Sequence, residues 1–187
     1  MTKNIVLFAS GNGSNAERII RHFEGSPKGS VKAVFCNKKD AYVLERAKNL
    51  GVPTVVFSRE DLYESTAVID KLRDLGTDLI VLAGFLWLVP GALIAQYPGK
   101  IINVHPALLP AYGGKGMYGS RVHEQVIHNG EKESGISIHY VNEIFDEGEV
   151  IFQARCSIEE GDTAQTLAAK IHELEHRHFP EIIEKLL

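Results

Sequence analysis

Short runs of β-branched and apolar residues alternate with longer amphipathic stretches through residues 4–82. This alternation is typical of parallel strands that are joined by crossover helices. It predicts strands at residues 5–8, 31–35, 54–57 and 79–82, with a fifth at 101–104, and helices at 15–23, 41–50 and 59–75. The pattern therefore predicts an α/β fold with a doubly wound, mostly parallel sheet.

The second half of the chain has a different pattern. Residues 106–120 are rich in glycine and read as a long loop, and loops of that length are commonly functional. We expect a helix at 121–128 and two strands at 135–141 and 150–158, which add an antiparallel or mixed edge to the sheet. A long C-terminal helix should begin at a capping box formed by Asp162 and Gln165, with Pro180 as a possible kink.

The composition of the chain argues against nucleic acid and membrane as binding partners. The 187 residues carry 20 Lys and Arg against 24 Asp and Glu, a net charge of −4, so an electrostatic nucleic-acid surface is not expected. Cys36 and Cys156 are isolated thiols, which favours a reducing compartment and predicts the cytoplasm. No apolar run approaches a membrane span, so no membrane is expected. Whether the chain is a monomer or a homodimer stays open.

A glycine loop, Ser10-Gly11-Asn12-Gly13-Ser14-Asn15, lies between the first predicted strand and helix. Backbone N–H groups at such a junction, together with the helix N-terminus, suit a phosphate. Ala16 replaces the third glycine of a dinucleotide fingerprint, and Cys36-Asn37 stands where an acidic residue would grip a ribose. The loop therefore favours a mononucleotide-type phosphate, the alternative being a tight turn with an Asn cap.

Asn103 and His105 are two residues apart at the end of the fifth predicted strand, so both side chains should emerge on one side of the sheet edge. An amide donor and a titratable imidazole can together stabilise an oxyanion. Asp146, in a later loop, can approach the same edge. The alternatives are a polar strand end for the first two residues and a solvated turn aspartate for Asp146.

A third pattern, His172-Glu173-Leu174-Glu175-His176, matches the H-E-x-x-H sequence of zinc hydrolases on a predicted helix. Zinc also needs a third protein ligand, and no downstream motif supplies one. A zinc hydrolase using His172 and His176 is therefore kept as a remote alternative, and no metal is expected.

Taken in order, these motifs resemble the folate-dependent formyltransferases, and within that family the branch that acts on glycinamide ribonucleotide. The resemblance rests on the glycine loop and on the following runs: Val34-Phe35-Cys36-Asn37-Lys38, Leu44-Glu45-Arg46-Ala47, Leu82-Ala83-Gly84-Phe85, Ile102-Asn103-Val104-His105-Pro106-Ala107-Leu108-Leu109-Pro110 and Asp146-Glu147-Gly148. It covers nearly the whole chain. It implies a single Rossmann-like formyltransferase domain over residues 1–187, with a phosphate-binding half at 1–100 and a catalytic and folate-binding half at 101–187.

The resemblance also implies a reaction and a set of site residues. The formyl group of 10-formyltetrahydrofolate, a co-substrate, would pass to the amine of glycinamide ribonucleotide during purine (IMP) biosynthesis. The resemblance thus implies small-molecule substrates. The implied residues are as follows: catalytic, Asn103, His105 and Asp146; ribonucleotide-binding, Gly11, Asn12, Gly13, Ser14, His172 and Glu175; folate-binding, Leu86, Trp87, Leu88, Val89, Asn103, Asn142, Glu143, Ile144, Phe145 and Asp146.

In the expected mechanism, Asn103 and a protonated His105 stabilise the oxyanion that forms when the amine attacks the formyl carbon. Asp146 would raise the pKa of His105 and so favour its imidazolium form. Three other functions remain as alternatives: a formyltetrahydrofolate hydrolase, another formyltransferase of the same family, and a non-catalytic folate- or nucleotide-binding regulator.

Overall fold

The computed structural model describes residues 1–187 and contains one seven-stranded sheet with the strand order β3-β2-β1-β4-β5-β6-β7. The strands are β1 Lys3–Ala9, β2 Gly29–Cys36, β3 Thr54–Val56, β4 Leu79–Leu82, β5 Ile101–His105, β6 Glu133–Tyr140 and β7 Val150–Ser157. The first five are mutually parallel, whereas β6 and β7 pair antiparallel at one edge. The predicted fold class is confirmed.

Seven helices accompany the sheet: α1 Ser14–Phe23, α2 Tyr42–Asn49, α3 Arg59–Tyr63, α4 Ala67–Asp74, α5 Gly91–Gln96, α6 Ser120–His128 and α7 Ala164–Leu186. Strand residues alternate between two cores. Ile5 and Leu7 face the core covered by α1, α2, α6 and α7, whereas Val6 and Phe8 face the core covered by α3, α4 and α5. Helices on both faces are what a doubly wound sheet requires. None of these helices is both long and apolar enough to cross a lipid bilayer.

One predicted helix differs from the structure, and one helix of the structure was not predicted. The single helix expected at 59–75 is two helices, because the Ser65 hydroxyl accepts from the backbone N–H of Ala67 at 3.2 Å and donates to the Asp61 carbonyl at 3.2 Å. Such side-chain bonds compete with helix continuation. The short helix α5, which follows Pro90, was not predicted because six residues show no clear helical period.

The start of α7 also differs from the prediction. Its capping box is formed by Thr163 and Thr166, not by Asp162 and Gln165. Asp162 instead accepts from the backbone N–H of Glu159 at 2.8 Å and from the ammonium of Lys170 at 2.5 Å. The helix then continues for 23 residues through Pro180, which is buried, and carries the Glu175 side chain to the edge of the sheet where β1, β4 and β5 end.

Candidate active site

A cavity of about 750 Å³ lies at the carboxyl ends of β1, β4 and β5, the edge where open α/β sheets bind ligands. Its walls come from the glycine loop, the segments that follow β4 and β5, the loops at 114–120 and 141–146, and α7. It is therefore lined by residues from every motif that the sequence singled out. Of the predicted site residues, Glu143 alone does not line it; this side chain is exposed and directed toward Gly91, since a Cβ added there would lie 2.6 Å from its Oε1.

The glycine loop is held in a fixed shape. Gly13 has φ 79°, and a Cβ added to it would lie 2.3 Å from Cγ2 of Val43 on α2. Arg46 donates from Nε to the Asn12 carbonyl at 2.9 Å and from Nη2 to Asn12 Oδ1 at 3.0 Å. No side chain caps α1, so the Asn-capped turn considered from sequence is not what the structure contains. The first-turn N–H groups have no side-chain acceptor, which suits an anion.

Ser10 joins two walls of the cavity. It is 1% exposed, and its hydroxyl accepts from the backbone N–H of Leu86 at 3.0 Å. The glycine loop and the segment that contains Leu86 and Trp87 are thereby fixed to each other. Sequence reasoning assigned Ser10 no role beyond its place in the loop.

Glu175 forms a polar cluster at the end of the cavity nearest the glycine loop. Its carboxylate accepts from Asn15 Nδ2 at 2.9 Å and lies 3.3 Å from His172 Nδ1. The hydrogen bond with Glu175 raises the pKa of His172 above its ordinary value. Asn15 Oδ1, in contrast, is buried and has no partner, which leaves an acceptor for a bound ligand.

Asn103, His105 and Asp146 meet at the end of β5, as the sequence predicted. His105 Nδ1 lies 3.5 Å from Asp146 Oδ2, and Nε2 donates to the Tyr112 carbonyl at 2.7 Å. Asp146 Oδ2 also accepts from the Gly114 N–H at 3.0 Å. The Nδ1 proton of a charged His105 would therefore point toward both Asp146 and the cavity.

His139 is a member of this group that sequence reasoning missed. It pairs with Asn103 across the β5–β6 ladder, and its Nδ1 donates to the Tyr140 carbonyl at 2.8 Å. In that tautomer Nε2 accepts from the Asn103 amide at 3.0 Å, and it lies 3.5 Å from Asp146 Oδ1. The available signal was the alternation of Ser137 and His139 with apolar residues along β6.

The direction of the His105 pKa shift differs from the sequence prediction. Burial lowers the pKa of the imidazole below its ordinary value, and this effect exceeds the upward influence of Asp146 and of the Tyr112 carbonyl. The prediction of a net raised pKa is wrong because spacing along the chain does not reveal that the side chain is 3% exposed. For Asp146, burial raises the pKa, but the nearby imidazoles of His139 and His105 and the Gly114 N–H together hold it below its usual value.

The wall predicted to bind folate is largely aromatic and apolar. Residues 86–89 line the cavity together with Asn142, Ile144 and Phe145, and Leu86 and Ile144 are exposed. Trp87 packs edge-on against Phe57 and Phe85. The Arg59 guanidinium lies 4.8 Å from the centre of the Tyr63 ring and 5.9 Å from the centre of the Trp87 ring. This wall therefore offers flat apolar surface with a cation beside it.

The H-E-x-x-H sequence does not bring three possible metal ligands together. The rings of His172 and His176 lie 6.0 Å apart on one face of α7, but no third His, Cys, Asp or Glu joins them in a group that could hold a metal ion. His172 is engaged by Glu175 instead. The donor set is thus smaller than the three protein ligands that catalytic zinc needs.

The fold and the cavity are those of an enzyme that transfers formyl groups: the family model described as "Formyl transferase" matches residues 3–183, and the chain belongs to that family. The relatives point to one branch of it. Phosphoribosylglycinamide formyltransferase of Bacillus subtilis is 40% identical over 191 aligned residues, which cover 99% of this chain and 95% of that protein.

Two further relatives carry the same name. The chloroplastic enzyme of Arabidopsis thaliana is 38% identical across 97% of this chain, which spans 64% of that protein's length. The crystal structure of the phosphoribosylglycinamide formyltransferase of Streptococcus pneumoniae TIGR4 has a TM-score of 0.87 and 39% identity, and the match covers 100% of this chain and 99% of that one. The resemblance stated from the motifs is confirmed.

Proposed function

We propose that this chain transfers the formyl group of 10-formyltetrahydrofolate to the amine of glycinamide ribonucleotide. The products are formylglycinamide ribonucleotide and tetrahydrofolate, in the route to IMP. The observation that carries the proposal is the single cavity that joins an uncapped helix N-terminus to Asn103, His105 and Asp146. The names of the relatives support the acceptor, phosphoribosylglycinamide, and the transferred group, formyl. The folate donor is proposed from the resemblance of the motifs.

The ribonucleotide would lie between the glycine loop and α7. Its phosphate would accept hydrogen bonds from backbone N–H groups of Gly11, Asn12, Gly13 and Ser14, helped by the dipole of α1. Glu175 and His172, at the same end of the cavity, would bind the ribose hydroxyls as acceptor and donor. This assigns phosphate binding to residues 1–100, with help from α7.

The folate would lie against the opposite wall. Its flat pterin ring would bury apolar surface on residues 86–89 and on the loop that carries Asn142, Ile144 and Phe145. Asn103 and Asp146 line the same cavity. The formyl group would then face the catalytic residues, which assigns folate binding and catalysis mainly to residues 101–187.

The reaction needs no metal and no covalent enzyme intermediate. The amine nitrogen attacks the formyl carbon, and negative charge develops on the formyl oxygen. The Asn103 amide N–H and the His105 Nδ1–H are preorganised donors for that oxygen. The bond from carbon to the folate nitrogen then breaks, and the proton lost by the amine ends on that nitrogen. Proximity of two bound substrates accounts for much of the remaining acceleration.

Asp146 is assigned to the protonation of His105. Burial, with a smaller effect of His139, keeps the His105 pKa below its ordinary value, so the imidazolium that donates from Nδ1 must be favoured by negative charge. An ionised Asp146 at 3.5 Å supplies it in the free protein, and the developing oxyanion adds to it during the reaction. The 3.5 Å separation leaves the Nδ1 proton available to the substrate.

The test is tetrahydrofolate formation from 10-formyltetrahydrofolate, measured with and without glycinamide ribonucleotide. We expect turnover only when the amine is present. Turnover that is equal without it would identify a formyltetrahydrofolate hydrolase, and binding of both ligands without turnover would identify a regulator. Either result would overturn the proposal. The cytoplasmic location stays a prediction that rests on the two free cysteines.

A further inference from the structure

His123 is a buried titratable residue that the reaction described above does not use. It lies on α6, directly after the glycine-rich segment 113–119, and is only 6% exposed. Its side chain lines the cavity, yet its Nδ1 atom is buried and has no hydrogen-bond partner in the protein. A buried polar atom without a partner is costly, and in a native structure it calls for an explanation, of which a bound ligand is one.

The surroundings of His123 define where along the cavity it acts. Burial lowers the pKa of His123, and among nearby groups Glu175 opposes this effect, whereas His172 and His105 reinforce it. His123 lines the same cavity as Glu175, His172 and His105, and its helix α6 packs against α7, which carries Glu175 and His172. It therefore lies near both the Glu175 cluster and His105. Asn15 Oδ1, the second unpartnered polar atom on this wall, is at the ribonucleotide end beside Glu175.

The chemistry of the imidazole limits the class of group that it would bind. A neutral ring carries one N–H donor and one acceptor nitrogen, so it matches a neutral polar group better than an anion. If the proposed function is correct, the part of the ribonucleotide between its ribose and its amine is a carboxamide, which is neutral and has one donor and one acceptor. His123 therefore has both the position and the hydrogen-bonding groups to bind this carboxamide.

We propose that His123 is a binding residue for the glycinamide carboxamide of the ribonucleotide. Its Nδ1 hydrogen-bonds the carboxamide, which orients the amine toward the formyl carbon held beside His105. The proposal rests on the proposed function and adds one contact to it. Glu175 binds the ribose and the glycine loop binds the phosphate. His123 contacts the carboxamide, the group that distinguishes this ribonucleotide from other phosphorylated riboses.

The test is a binding titration of the whole protein with two probes, glycinamide ribonucleotide and ribose 5-phosphate. In His123→Leu we expect the dissociation constant for glycinamide ribonucleotide to rise roughly 10-fold or more, whereas that for ribose 5-phosphate stays within about twofold. His123→Asn, whose amide reaches the position of Nδ1, should recover much of the lost affinity. His128→Leu, an exposed histidine on the same helix, is the matched control and should change neither constant.

Equal weakening of both probes would place His123 on the ribose or the phosphate and overturn the proposal, as would no change for either. Folate affinity and melting temperature should match the wild type in both His123 variants, which separates a lost contact from a general structural defect. Failure of the proposed function has a different result, because the wild-type protein would then fail to transfer formyl to the ribonucleotide.

Discussion

Asp146 has φ 58°, a left-handed conformation that is uncommon for residues other than glycine. Such a backbone costs on the order of 1–3 kcal/mol and persists only where surrounding contacts fix it. Here the Gly114 N–H, His105 and His139 surround the carboxylate. The conformation therefore places the Asp146 carboxylate 3.5 Å from a ring nitrogen of both His105 and His139.

The Asp146→Asn variant tests whether this carboxylate controls the charge of His105. Burial lowers the His105 pKa and Asp146 opposes that effect, so removal of the negative charge should lower the pKa further. Turnover should fall in parallel, because less imidazolium is present to donate. Titration of the His105 ring by NMR, in wild type and variant, measures the shift. An identical pKa in both proteins would show that Asp146 has no such role.

His105→Ala should lower kcat by about 10² to 10³, the range for loss of one oxyanion donor. The double variant His105→Ala/Asp146→Asn should be little worse than the more damaging single variant, since residues that act as a unit are non-additive. Steady-state kinetics on all three proteins measures the coupling. If the two losses simply multiply, the residues act independently and the assigned pair is wrong.

Gly13 is the residue on which the shape of the glycine loop depends most. Gly13→Ala would place a Cβ on the Val43 side chain and force a left-handed alanine. We expect the KM for the ribonucleotide to rise at least 10-fold while folate affinity stays near the wild-type value. Gly11→Ala, with no atom within 4 Å of its Cβ, is the stability control, and its melting temperature should not change. Equal losses for both substrates in Gly13→Ala would count against the assignment of this loop.

At the scale of elements, the sequence predicted the sheet well because strand residues must alternate between two apolar cores. It also brought Asn103 and His105 together, because two residues of separation on a strand fix a common side. It could not supply His139, whose contact with Asn103 depends on the register of β6 against β5. That register is set by tertiary packing and leaves no local pattern.

Two other sequence predictions differ from the structure. The division of the predicted 59–75 helix follows from side-chain hydrogen bonds of Ser65 that compete with the helix. The family resemblance placed Glu143 in the folate wall as part of the loop 142–146, but successive loop residues need not face one side. Only the folded loop shows that its carboxylate is directed toward Gly91.

Gly148 fixes the loop that carries Asp146 onto β6. A Cβ added to it would lie 1.6 Å from the Tyr140 carbonyl oxygen, the acceptor that also orients His139. Gly148→Ala should therefore lift the loop, lower kcat more than 10-fold and destabilise the protein by about 1–3 kcal/mol. Glu147→Ala, at the exposed neighbouring position, should leave the melting temperature unchanged. Wild-type kcat in Gly148→Ala would show that the loop position does not matter.

At the scale of the whole molecule, the proposed function requires one cavity to hold two substrates and uses no metal. His172 and His176 satisfy a zinc sequence pattern but offer only two ligands. Turnover should therefore survive exhaustive treatment with a chelator, and added zinc should not increase it. Stoichiometric zinc in the purified protein, with activity lost on chelation and restored by zinc, would instead support the hydrolase alternative.

The most direct measurement follows the formyl carbon itself. Folate labelled with ¹³C in its formyl group is mixed with the protein and glycinamide ribonucleotide, and NMR records where the label goes. We expect the labelled carbon to move from the folate nitrogen to the ribonucleotide amine, with one equivalent of tetrahydrofolate formed for each labelled product. Release of the label as free formate, or its retention on the folate while both ligands are bound, would contradict it.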